Sequence, residues 1–133
     1  MVNFRFKCVS CGAVYDRAQN VACPECGSPQ PVIQGGYVQI YRMGSPLGMA
    51  AGYGMYINGV PYGHIANKQS VRVLLPYGTY TFHFTCGMTR RCEDVTVAIT
   101  PENREIFVKA HIVAGFWTNK IVAEVVDRSQ MPE

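Results

Sequence analysis

Leucine is nearly missing, with three residues in 133 against 16 valines and 8 isoleucines. A helical core would favour leucine and alanine, whereas β-branched and aromatic side chains suit a pleated surface, so the imbalance argues against a helical bundle. Charge is scarce as well, at 16% of residues, below the roughly 25% of ordinary soluble domains. With 48% hydrophobic residues, that excludes disorder throughout the chain. The net charge of +3 comes without any basic block and is too small to define a polyanion-binding protein. No apolar run approaches the ~20 residues of a membrane helix, so membrane insertion is not expected. The seven residues before Cys8 lack the apolar core of a signal peptide, and a cytoplasmic protein with reduced cysteines is expected. Also missing are the phosphate loop, the serine-nucleophile elbow and the His-Glu-x-x-His motif. No catalytic residue is expected, and the chain reads as a non-enzyme.

What is present is a cysteine constellation. Cys8-Val9-Ser10-Cys11-Gly12 is followed, after eleven residues between the pairs, by Cys23-Pro24-Glu25-Cys26-Gly27. A two-residue gap lets one turn present both sulfurs to a single tetrahedral ion, so Cys8, Cys11, Cys23 and Cys26 are expected to hold one metal, with zinc preferred and iron the alternative. The glycine after each second cysteine lets the chain turn sharply and aim backbone N–H groups at sulfur. Cys-Val-Ser-Cys-Gly-Ala-Val-Tyr-Asp followed by Cys-Pro-Glu-Cys-Gly-Ser resembles the short zinc ribbons and the rubredoxin-like modules appended to rubrerythrins, over about residues 5 to 30. The resemblance implies that all four cysteines are ligands, and iron in such a site would imply electron transfer. Phe4, Arg5, Phe6, Lys7, Tyr15 and Arg17 mix aromatic and basic groups, so nucleic-acid binding through the ribbon is an alternative function.

The turn-rich stretch from Gly27 to Gly36 marks a boundary: a zinc-ribbon module with a Pro/Gly linker over 1–34 and a β-sandwich domain over 35–133. From Tyr37 onward the pattern has a period of two. Val71, Val73 and Leu75 form one run, Tyr80, Phe82 and Phe84 another, then Val95, Val97 and Ile99, then Ile106, Val108, Ala110 and Ile112, then Ile121, Ala123 and Val125. Asn58-Gly59 between two further runs is a hairpin signal, because both residues tolerate positive φ. Seven or eight short strands predict an antiparallel sandwich or barrel, mostly β, with no long helix. Residues Tyr37 to Asp127 resemble PEGA-type domains and related bacterial sandwiches, through Ile-Tyr-Arg (Ile40 to Arg42), Tyr-Ile-Asn-Gly-Val-Pro-Tyr-Gly (Tyr56 to Gly63) and Leu-Pro-Tyr-Gly-Thr-Tyr (Leu75 to Tyr80). That resemblance implies an immunoglobulin-like β-sandwich and a binding or scaffolding task.

The expected partner is a protein, with self-association as an alternative. Its contacts are expected at Phe116 and Trp117, large aromatics in a strand connection, and at Leu47 and Met49 in the glycine-rich loop from Met43 to Gly52. His83 and His111 are expected at solvent-facing sheet positions. Cys86 and Cys92 read as semi-buried thiols at a hairpin end, with a redox disulfide, or a catalytic or metal role with His83, as the alternatives; strand parity counts against the last, because His83 points away from the face that Cys86 shares with Phe84. Together these readings describe a non-enzymatic, metal-binding interaction or scaffold protein.

Overall fold

Alternation along a strand decides which face enters a core. A computed structural model of the chain, describing residues 3–17, 20, 22–29, 34–43, 52–86, 92–113 and 119–131, builds eleven strands on that rule among those residues. They are β1 (Asn3–Lys7), β2 (Val14–Asp16), β3 (Gly35–Arg42), β4 (Tyr53–Ile57), β5 (Val60–Ile65), β6 (Ser70–Pro76), β7 (Gly78–Cys86), β8 (Cys92–Glu93), β9 (Val95–Ile99), β10 (Glu105–Val113) and β11 (Lys120–Val126). The helical content of the described residues is one 3-10 turn, Arg128–Gln130.

The strands form a seven-stranded sheet in the order β2-β1-β6-β3-β10-β11-β8 and a four-stranded sheet in the order β5-β4-β7-β9. Their inner faces share one core. Val71, Val73 and Leu75 of β6 meet Phe82 and Phe84 of β7, Val97 and Ile99 of β9, and Val108 and Ala110 of β10. The fold is mostly β, as expected, and the smaller sheet is antiparallel throughout. In the larger sheet, β1–β6, β3–β10 and β8–β11 are parallel. Each parallel pair brackets chain that visits the smaller sheet, which is the kind of crossover that parallel neighbours require.

Asn58 and Gly59 adopt φ of 51° and 80°, as the hairpin signal demands. The Asn58 side chain also accepts a hydrogen bond from the Thr81 N–H at 2.9 Å, tying that turn to β7. Two residues depart from simple alternation. Phe107 lies on the outer face of β10 yet is buried, because Tyr37 meets it edge-on at 6.2 Å and the Arg128 guanidinium covers its ring. Val125 shares the parity of Ile121 but is 56% exposed, since the short neighbour β8 reaches only Ile121 and Val122. At the end of β3, Arg42 is fully buried; it donates to the Ile65 carbonyl at 3.0 Å and stacks 3.9 Å over the Tyr53 ring. A guanidinium is tolerated there because its weakly hydrated plane gains both a carbonyl and an aromatic face.

Candidate metal centre

Cys8 follows β1 directly, so the β1–β2 hairpin, with Lys7 facing Val14 and Phe6 facing Tyr15, fixes the first cysteine turn. The two turns repeat one pattern. The N–H of each leading cysteine donates to a carbonyl five residues on, Cys8 to Ala13 at 2.8 Å and Cys23 to Ser28 at 3.1 Å. In return Gly12 and Gly27 donate to the carbonyls of Cys8 and Cys23 at 3.1 and 2.8 Å. Both glycines sit at positive φ, 79° and 75°, with ordinary or open space where a Cβ would stand, so conformation rather than room selects glycine.

All four sulfurs lie within 4.8 Å of one another. Cys8 and Cys26 are 3.7 Å apart and Cys11 and Cys23 3.6 Å, close to the roughly 3.8 Å that a tetrahedral ion with bonds of about 2.3 Å imposes. The N–H groups of Cys11 and Ser10 each approach Cys8 Sγ at 3.3 Å. They draw that thiol down to about 6, Cys11 most strongly, against the opposing effect of desolvation. The hydroxyl and N–H of Ser28 lower Cys26 from its ordinary value. Cys11 is pushed up to about 12: the N–H of Ala13 favours its thiolate, but desolvation and the three neighbouring sulfurs outweigh it. Four thiolates this close need a cation, and a soft divalent ion fits the donor set.

Cys8 and Cys23 are buried in a small core with Phe6, Tyr15 and Leu74, the last supplied by β6, while Cys11 and Cys26 are exposed. The ribbon therefore shares packing with the sandwich as well as chain. The β1–β6 pairing sets Asn3, Phe4 and Arg5 beside Val71, Arg72 and Val73. Arg5 donates to the Tyr62 carbonyl at 3.3 Å and to the His64 carbonyl, and Lys7 donates to the Pro61 carbonyl at 2.9 Å and sits over the Tyr62 ring. Arg5 passes so close to Gly63 that a Cβ there would lie 3.2 Å from its Nη1.

Of the mixed aromatic and basic set, Phe6 and Tyr15 are buried and Arg17 covers the Phe6 ring. The partner residues expected from sequence, Leu47, Met49, Phe116 and Trp117, lie outside the described residues. Cys86 is buried and Cys92 half-buried, and among the described residues neither is in a disulfide.

A second cluster joins His83 and Cys92 to Asp94, a residue that the sequence pattern does not single out. Phe82 faces Val95 across β7 and β9, and continuing that register by one residue sets His83 opposite Asp94. Their Nδ1 and Oδ1 atoms are 2.7 Å apart. Cys92 joins them, so that one ligand atom from each of the three residues lies within 4.8 Å of the others. Burial is the main cause that raises the Cys92 thiol to about 11. The cluster borders a groove of about 600 Å³ lined by Tyr56, Asn58, Thr81 and Thr85 besides His83 and Asp94. The register itself was the available signal, and it needed the strand pairing to be known.

Among the described residues no helix is long and apolar enough to cross a membrane. In comparisons with known proteins, no family model matches the chain, and no curated protein or solved structure matches it.

Proposed function

We propose that this chain is a non-enzymatic interaction or scaffold protein, in which a zinc ion on Cys8, Cys11, Cys23 and Cys26 folds the ribbon and the sandwich binds a protein partner. The observation that carries the reading is the four-sulfur cluster itself. All four positions around an ion are taken by sulfur, two of them in a buried core, and a closed site of that kind stabilises structure rather than offering a position for substrate. A cytosolic location belongs to the same reading, since it keeps the thiols reduced.

X-ray absorption at the metal edge tests the metal half. One zinc per chain with four sulfur neighbours near 2.3 Å is expected, and a stoichiometric disulfide between any two of the four under reducing conditions would count against it. For the partner half, Trp117→Ala should weaken association, with a partner or with a second copy, more than it lowers stability. A loss of about 3 kcal/mol or more in unfolding free energy with association untouched would make Trp117 a core plug instead.

Iron in the same site supports the electron-transfer reading, favoured by the exposure of Cys11 and Cys26, which gives a donor short access to the ion. A red protein as isolated, reversibly bleached by reductant, would establish it. Binding of nonspecific DNA or RNA that weakens steeply with salt would support the nucleic-acid reading.

A further inference from the structure

Where the chain crosses from the larger sheet to the smaller, three side chains meet that the proposed scaffold role does not use. We infer that His83, Cys92 and Asp94 form a second metal site, which takes a divalent transition ion such as zinc on one nitrogen, one sulfur and one oxygen and opens its fourth position to the groove.

Three observations converge on this. The first is spread: the donor atoms lie within 4.8 Å of one another, the same limit that encloses the four ribbon sulfurs. The second is direction. In a thiol–imidazole–carboxylate relay, sulfur and carboxylate occupy opposite ring nitrogens and stand roughly 8 Å apart. Here they are inside 4.8 Å, so the imidazole does not stand between them and that relay is not what the three groups form.

The third is placement. The chain leaves the larger sheet at β8, where Cys92 pairs with Ile121, and enters the smaller sheet at β9, so Asp94 sits at the crossing. Alternation sends Cys92 and Asp94 to one side and Glu93 to the other, where it pairs with Lys120. His83 is held from the opposite strand, with the Tyr56 ring tilted against it at 5.9 Å. Mixed donors with one open position distinguish exchangeable ions from the closed all-sulfur type, so this site is expected to load and release metal while the ribbon keeps its own.

The test uses full-length protein carrying one equivalent of zinc, held by the ribbon, under a phosphine reductant, titrated with cobalt(II). One equivalent should bind without releasing zinc, giving the visible bands of a low-symmetry cobalt site and the charge-transfer band of a single thiolate. Cys92→Ser should abolish that band, and His83→Ala and Asp94→Asn should each weaken cobalt binding by at least about 100-fold. Cobalt uptake only in exchange for released zinc, no uptake at free cobalt on the order of 0.1 mM, or variants that bind like the parent would each overturn the site and leave His83–Asp94 as a surface ion pair. Circular dichroism checks each variant, and the parent's stoichiometry decides by itself if any fails to fold. Failure here leaves the four-sulfur ribbon standing, because its zinc is counted separately.

Discussion

The two cysteine-bearing clusters differ in how the chain makes them. The ribbon draws its four sulfurs from 19 consecutive residues, each pair set by a local turn whose glycine conformation and N–H directions are written in the sequence beside it. The groove cluster draws on β7 and on the β8–β9 crossing, and exists because two strands pair in one register and not another. A site built from turns depends on its ion for its fold, whereas a site built from register depends on the core beneath it.

Removing the ribbon ion should have the largest effect. A structural zinc is worth roughly 10 kcal/mol in small peptides, so chelation or Cys8→Ser should unfold β1, β2 and both cysteine turns. Hydrogen exchange on loaded and chelated protein should show protection lost there and along the β6 edge that pairs with β1, while β7 and β10 stay slow. Loss of protection across Phe82 and Val108 as well would mean that the ribbon and the sandwich fold as one unit.

The opposite perturbation comes next. Phe82→Ala removes a fully buried ring next to His83 and should cost about 3–5 kcal/mol in denaturant unfolding, without lowering the zinc content of the native protein. Zinc lost in parallel with stability would erase the distinction between the two clusters.

Asp94→Asn, in protein carrying only the ribbon ion, should change stability by less than about 1 kcal/mol, since His83 and Asp94 are a partly exposed pair. A larger loss would make the pair a structural tie of the sheet crossing. The smallest effect is expected at the pin that orients β8. Lys120 hydrogen-bonds to Glu93 and attracts its charge, holding its carboxyl below the ordinary value. The pair's contribution is therefore present above the unfolded-state value and fades as pH falls through the lowered one. NMR titration should show Glu93 returning toward the ordinary range in Lys120→Ala; an unchanged titration would show that the contact is not held in solution.

Much of the sandwich was legible because half-buried strands write their parity into the sequence. Val71, Val73, Leu75, Phe82, Phe84, Val95, Val97 and Ile99 are all buried as alternation predicts. The four cysteines were legible for a similar reason, since a turn needs only near neighbours. What stayed hidden was tertiary. Arg5 and Lys7 look like free cations in sequence, yet their partners are carbonyls on β5 more than fifty residues away. His83 has no carboxylate at a suggestive local spacing, because Asp94 is set opposite it by strand register eleven residues on. Nothing near Phe107 in sequence announces that Tyr37 and Arg128 cover it.

The seat of β1 on β6 has one more consequence. Val71, Arg72 and Val73 lie on a strand whose other neighbour is β3, so β1 is what keeps that edge from presenting unpaired amide and carbonyl groups to another molecule. An uncovered edge is a template for intermolecular pairing. A metal held by the four sulfurs would thus guard against aggregation at a distance: a chain stripped of metal, or cut to begin at Gly35, should grow sticky along β6 before its sandwich loses any stability.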